Sequence, residues 1–294
     1  MLKPAIAALS FFCALMISAA AFGTPLPVGK SQVTLEINGR AIEVHTYKPQ
    51  QYSGHGLVLA LHGVGRNAAG YRDYAVPIAE RHGYLVVAPF FDRKRFPTWR
   101  YQHGGIVRPA GARETGVMDA VPEQEWTGRV LLALVDAVRA LEATPEIPYY
   151  LLGHSGGAQS LSRVAAVMAT GAKRIVLANA GTYQWPAREP RFPDGFGGLP
   201  LASEDAMRAY LAQPLTLLLG TADVKQDADL SMRESAVAQG PNRHRRGWNV
   251  YRAAQALAKA RGWVFNWTLV EVPGVGHSAR GMFGSEGAAA ALAP

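Results

Sequence analysis

The stretch Leu151-Leu152-Gly153-His154-Ser155-Gly156-Gly157 decides how the rest of the chain is read. It fits G-x-S-x-G. An apolar run, Tyr149 to Leu152, precedes it as a strand would, and Ala158 to Met168 follows it as a helix would. A strand that turns sharply into a helix holds a serine in a strained bend, with its hydroxyl clear of the backbone. Flanking glycines suit so tight a turn because a Cβ would clash there. The Gly156 N–H, at the start of the helix, then points to where a negative oxygen can form. A turn that merely wants Gly and Ser gives the same pattern, so the reading depends on partners elsewhere in the chain.

Working outward, the pattern alternates strand and helix. Val33 to Ile37, Asn38-Gly39 and Ala41 to Tyr47 read as a hairpin, with Asn-Gly suited to a type I′ turn. Gly56 to Leu61 and Tyr84 to Ala88 are continuous apolar runs, expected of strands covered on both faces. A helix is expected from Tyr71 to Arg81, and another from Glu125 to Leu141. Further on come strands Arg174 to Asn179, Leu215 to Leu219 and Phe265 to Val272, and helices Gly247 to Arg261 and Gly281 to Leu292. Two stretches, Phe90 to Gln124 and Ala180 to Pro200, read as irregular excursions. This order predicts an α/β fold, a doubly wound and mostly parallel sheet with antiparallel N-terminal edge strands. No repeat or linker divides it, so residues 24–294 are expected to form a single catalytic domain.

A serine hydroxyl needs a base, and the base needs an acid to orient it. His277 follows the strand ending at Val272 through Pro273-Gly274-Val275-Gly276, a loop able to carry an imidazole over the sheet edge. Asp223 follows the strand ending at Leu219 and is the expected acid, with Asp227 and Asp229 as nearby rivals. The second oxyanion donor is expected in Leu61-His62-Gly63-Val64, as the Val64 N–H beside that of Gly156, with His62 bracing the loop.

The set Leu61-His62-Gly63, Gly153-His154-Ser155-Gly156-Gly157, Gly220-Thr221-Ala222-Asp223 and Gly276-His277 resembles the α/β-hydrolase superfamily. Within it, the chain is similar to secreted polyhydroxybutyrate-depolymerase-like and feruloyl-esterase-like serine esterases. The resemblance implies an α/β-hydrolase fold, a Ser155-His277-Asp223 triad and ester hydrolysis through an acyl-enzyme. It leaves open a likeness to the hydrolases of poly(aspartic acid), a polyanionic polyamide. A non-catalytic binding protein on the same fold is the reading from another class.

Composition sets the outer bounds. Apolar residues make up 49% and charged residues 18% of 294 positions, as suits a globular enzyme. Lys3, the apolar run Ala5 to Phe22 and the small residues Ala19-Ala20-Ala21 read as a signal peptide over residues 1–23, with an uncleaved anchor as the alternative. The expected location is secreted or periplasmic, without stable membrane insertion after cleavage. Cys13, the single cysteine, lies in that segment, so the mature chain would have no disulfide. The net charge of +8 comes without a nucleic-acid-binding signature, and no metal-ligand spacing or cofactor motif appears. The expected partner is a small or polymeric ester or amide, neutral or anionic.

The two excursions supply candidate substrate contacts. The second offers Tyr183, Trp185, Phe192 and Phe196 as an apolar wall, or as a cover over the core. The first offers Arg93, Lys94, Arg95, Arg100, Arg108 and Arg113 with Trp99 and Tyr101. These form either a solvated face or a cationic rim for an acidic polymer, which Arg243, Arg245 and Arg246 could extend.

Overall fold

A computed structural model describes residues 24–109 and 118–294. The proposed signal peptide, Cys13 and Arg113 lie outside the described residues. Gly29–Ile37 (β1) and Arg40–Lys48 (β2) form the expected hairpin, and both turn residues, Asn38 and Gly39, have positive φ. Gly56–Leu61 (β3) is followed by Ala68–Tyr74 (α1) and Val76–His82 (α2). The single helix expected here is two, because Pro77 has no N–H to donate and its ring crowds the carbonyl four residues back. Next come Tyr84–Pro89 (β4), the short helix Thr98–Tyr101 (α3), and a two-stranded ribbon of Val107–Pro109 (β5) and Met118–Ala120 (β6). The first excursion therefore carries regular structure that its Arg, Gly and Pro content concealed.

Thr127–Leu141 (α4), Tyr149–His154 (β7), Gly156–Val167 (α5) and Arg174–Ala178 (β8) follow, then Glu204–Leu211 (α6) and Leu215–Gly220 (β9). Glu234–Gln239 (α7), Arg243–Arg261 (α8), Thr268–Val272 (β10), Ala279–Phe283 (α9) and Glu286–Ala291 (α10) complete the chain. The last expected helix breaks at Gly284-Ser285, where the Ser285 hydroxyl accepts from Ala288 N and starts a new cap.

Among the described residues the main sheet has eight strands, in the order β1-β2-β4-β3-β7-β8-β9-β10. β1 and β2 are antiparallel, and every pair from β4 to β10 is parallel. A parallel sheet needs cover on both faces. Side chains alternate accordingly. Leu57, Leu59, Leu151, Ile175 and Leu217 face α4, α5 and α8, while Val58, Ala60, Tyr150, Leu152 and Val176 face α1, α2, α9 and α10. Strand β7, which leads into Ser155, lies between β3 and β8, so its C-terminal end opens at the middle of the sheet edge. Among the described residues no helix is long and apolar enough to cross a membrane.

Candidate active site

Ser155 joins β7 directly to α5 with φ 54° and ψ −116°, a conformation that L-residues with side chains rarely adopt. The turn is this tight because the chain reverses against its neighbours. A Cβ on Gly153 would stand 2.6 Å from the Gly157 carbonyl carbon, and one on Gly157 would collide with the Leu61 carbonyl. Glycine at both places thus reflects close backbone approach.

Two other strand ends bring the partners. Asp223 follows β9 and is 2% exposed, and His277 follows β10. Their loops are stitched together: Thr221 N donates to Val272 O (3.1 Å), Ala222 N to Val275 O (3.0 Å) and Gly274 N to Thr221 Oγ1 (2.9 Å). Asn179, with φ 46°, spans both. Its Nδ2 donates to Gly276 O (3.0 Å) and its Oδ1 accepts from Gly220 N (2.8 Å).

The three side chains meet in a row. His277 Nδ1 lies 2.8 Å from Asp223 Oδ2, and His277 Nε2 lies 3.0 Å from Ser155 Oγ. A carboxylate only accepts, so Nδ1 carries the hydrogen. Nε2 of the neutral ring then has a lone pair facing the serine, whose hydroxyl donates to it. Asp227 and Asp229 do not touch the imidazole through a hydrogen bond. Asp227 instead binds Arg243 bidentately, at 2.7 and 2.8 Å.

The donors for a developing oxyanion sit beside the hydroxyl. A Cβ on Gly156 would stand 3.3 Å from Val64 N, which brings the amides of these two residues close together. Neither amide donates to an acceptor among the described residues. The loop carrying Val64 is braced by His62, which is fully buried. Phe91 N donates to His62 Nε2 (3.1 Å), so Nδ1 is the donor to Gly63 O (3.0 Å). Burial, with the nearby Arg66 charge adding to it, pushes the His62 imidazole down to about 4, so it braces as a neutral ring. Tyr101 donates to His62 O (2.6 Å), and Arg93 donates to Val64 O (2.8 Å).

His154 had no role from the sequence. It is buried, its ring centroid lies 4.6 Å from that of His277, and its Nδ1 is 3.0 Å from the Tyr71 hydroxyl. Burial, followed by the charges of His277 and Arg243, holds His154 well below the usual histidine range. Neutral, it packs under the base without repelling it. Its place inside the quoted motif was the available signal. Asn179 and Tyr71 offered none, because only folding brings them to the site.

A cavity of about 440 Å³ opens over Ser155 and His277, walled in part by Tyr71, Tyr74, Asp229 and Arg280. The expected substrate contacts lie elsewhere. Tyr183, 1% exposed, is in the core beneath the second excursion, as are Phe192 and Phe196. Trp185 is half-buried and packs against that core. Trp99 is half-buried under Arg100, whose guanidinium stands 5.9 Å from its ring and 3.3 Å from Glu125. Tyr101 is buried. Arg93 is exposed, but its guanidinium is engaged with Val64 O. The extension of the rim also fails at two places: Arg243 and Arg246 are buried, because each satisfies acceptors inside the fold. Among the described residues no cluster suited to a metal ion occurs.

A parallel sheet with a strained serine at the end of its central strand, faced by an imidazole and a carboxylate from two later strand ends, defines the α/β-hydrolase class of serine hydrolases. The chain belongs to that superfamily. It is 33% identical to LpqC, a poly(3-hydroxybutyrate) depolymerase from Bordetella parapertussis, over 87% of this chain and 88% of that one, with a TM-score of 0.79. It is 32% identical to poly(aspartic acid) hydrolase-1 from Sphingomonas sp. KT-1, over 87% and 96%, with a TM-score of 0.81. The siderophore hydrolase EstB from Aspergillus nidulans, 14% identical over 96% and 95% with a TM-score of 0.50, shares the fold. No family model matches the chain, and no curated protein matches it.

Proposed function

We propose that the protein is an exported serine hydrolase that cleaves carboxylic esters through a covalent acyl-enzyme. The observation that carries this reading is the pair of contacts at His277, 3.0 Å to Ser155 Oγ and 2.8 Å to Asp223 Oδ2. Ser155 Oγ attacks the ester carbonyl carbon, and its proton passes to His277 Nε2. The new C–O bond leaves a negative oxygen that the amides of Val64 and Gly156 stabilise, an effect worth roughly 3–4 kcal/mol per donor in comparable sites. His277 then gives the proton to the departing alkoxide as the C–O bond breaks. Water, deprotonated by His277, attacks the acyl carbon, and the acid leaves as Ser155 recovers its proton. Asp223 orients the imidazole and stabilises its transient positive charge.

A second reading, hydrolysis of an anionic polyamide, is favoured by Arg280. This guanidinium lies on the cavity wall 5.3 Å above the Tyr74 ring and makes no ion pair among the described residues. The resemblance to a poly(aspartic acid) hydrolase points the same way, whereas Asp229 on the same wall opposes it.

Labelling with a fluorophosphonate tests the first step. The wild type should be labelled stoichiometrically and Ser155→Ala not at all; an unlabelled wild type sinks the reading. Hydrolysis of p-nitrophenyl esters, hydroxybutyrate oligomers and poly(aspartic acid), assayed side by side, separates ester from amide preference. Export rests on the sequence of residues 1–23. Recovery of a chain starting near residue 24 outside the cytoplasm is the expected outcome, and a full-length cytoplasmic chain counts against it.

A further inference from the structure

The acid behind His277 is not alone in its pocket. Asp223 is buried and spends Oδ2 on the imidazole. Its other oxygen, Oδ1, faces Arg243 Nη1 at 3.7 Å, and both side chains are 1% exposed. Removing a carboxylate from water costs several kcal/mol unless a counter-charge and hydrogen bonds replace the lost hydration. Arg243 is the counter-charge here. It starts α8, one residue beyond the Asn242 cap, and is fixed by two hydrogen bonds to Asp227. The neighbouring His244 N donates to Asp223 O at 3.3 Å, so the same turn of helix grips both the backbone and the carboxylate of the acid residue.

We propose that Arg243, clamped by Asp227, is a positioning residue that acts through Asp223, and that the opposed charges of this pair set the pH above which His277 serves as base. The inference rests on Ser155 being the nucleophile. Arg243 touches no reacting atom. It fixes the rotamer of Asp223, so that Oδ2 and not Oδ1 meets the imidazole, and it places a positive charge behind the Asp223–His277 couple.

The groups facing that couple come from every element packed on it. They are His154 from β7, Asp227 and Asp229 from the loop after β9, Arg243 from α8, Arg280 from α9, the Tyr71 hydroxyl from α1 and the buried Tyr183 hydroxyl from the excursion after β8, which stays protonated. His154 is held neutral by burial, and Asp229 and Arg280 face the solvent-filled cavity, where water screens them. Arg243, which is buried, and Asp227, which is 43% exposed but bound to it by two hydrogen bonds, are therefore the charges whose removal the couple should register.

The sign differs between the two. Deleting the cation makes the first proton bind the couple more tightly, whichever member takes it. The acidic limb of the rate profile then moves to higher pH. Deleting the Asp227 charge leaves Arg243 unbalanced, and the limb moves to lower pH. The Arg243 shift should be on the order of one pH unit, the low end for a charge a few ångströms away, and the Asp227 shift smaller, because water screens its exposed side.

The test is the pH dependence of the rate at which a fluorophosphonate labels Ser155, measured on the full chain for wild type, Arg243→Gln, Asp227→Asn and Arg243→Lys. Half-maximal labelling should move up for Arg243→Gln, down for Asp227→Asn and stay within a few tenths of a unit for Arg243→Lys. Arg243→Lys should still label more slowly at its plateau, because the two-pronged clamp is gone. If Arg243→Gln fails to fold, the downward shift of Asp227→Asn decides alone. A purely structural role would slow labelling without moving the limbs in opposite directions. Unmoved limbs, or limbs moving the same way, overturn the proposal. An unlabelled wild type instead removes the nucleophile reading on which it stands.

Discussion

The excursion after β4 and the excursion after β8 leave the sheet on either side of the nucleophile strand, and arginines hold both, but by opposite physics. In the first, the guanidiniums stay near solvent and reach backbone carbonyls: Arg95 donates to Ala41 O (2.6 Å) and Arg93 to Val64 O (2.8 Å). Arg66, from the loop after β3, ties the excursion down at Phe91 O (3.0 Å) and Phe96 O (2.9 Å). In the second, the chain folds around Asp194, which is 1% exposed. Arg163 from α5 enters from below at 3.3 Å, Arg233 from above at 3.1 Å, and Ser235 Oγ donates at 2.6 Å. Arg163 also donates to Pro193 O and to Thr182 O and Oγ1, so its buried charge is well satisfied. Arginines in a sequence report charge; what the charge is worth depends on how much water is left around it.

That contrast can be broken most directly by removing one member of an ion pair from each kind of setting. Ser155→Ala stands apart as an all-or-none loss of labelling. Among stability changes, Asp194→Ala should be the largest, about 3–5 kcal/mol, because it strands Arg163 without its partner. Arg108→Ala, which removes a pair with Asp119 that is more than half exposed on the arginine side, should cost under about 1 kcal/mol. Urea denaturation of the two variants gives the comparison, and similar losses would erase it.

Acid sharpens the same point through histidines. Burial pushes His103, which lies against Phe192 between the two excursions, down to about 3, and the Arg163 and Arg233 charges add to this. Burial likewise pushes His62 down to about 4 and holds His154 well below its ordinary value. The unfolded chain takes up protons on these rings near pH 6.5, while the folded chain does not. Their contribution is complete above about pH 6.5 and is lost as pH falls towards the folded-state values. At pH 5.5 the His62 and His103 rings should each lower stability by about 1.4 kcal/mol relative to pH 7.5, with His154 acting in the same direction. A urea midpoint unchanged between pH 7.5 and 5.5 would show that these rings are not kept neutral.

The smallest effect separates a charge on the cavity wall from one on the first excursion. Arg280→Ala should lower kcat/KM for an ester bearing a carboxylate by up to about fivefold and leave a neutral ester unchanged, as an exposed charge is worth 0.2–1 kcal/mol. Lys94→Ala, on the first excursion, should leave both substrates within about twofold. Equal responses of the two variants would restore the wider rim. Added salt should weaken the Arg280 effect.

Much of the site was legible because its parts are local. Ser155 announces itself by its glycines and by the strand before it, and His277 by a glycine-rich loop at a strand end. Asp223 could be picked over Asp227 and Asp229 only by its distance from the strand, and the structure gives the reason. Three residues past the end of β9 the chain still lies beside the β10 loop, through the Ala222 and Val275 backbones, whereas Asp227 has already turned towards α8. The substrate wall was not legible. Tyr183 and Tyr101 look like recognition residues in the sequence and are core in the fold. Aromatic composition cannot distinguish a lining from a lid on the core, since both bury apolar surface.

By itself the sequence determined the alternation of strands and helices, the antiparallel hairpin at the edge and the three strand ends that carry Ser155, Asp223 and His277. Each of those is encoded by residues within a few positions of one another, through side-chain periodicity and the turn requirements of Asn and Gly. Tertiary structure alone decided which arginines are buried, that His154 lies against His277, and that Asn179 and Arg243 meet the segments carrying Asp223 and His277. Burial and long-range hydrogen bonding depend on which distant segments arrive beside a residue, and no local pattern records their arrival.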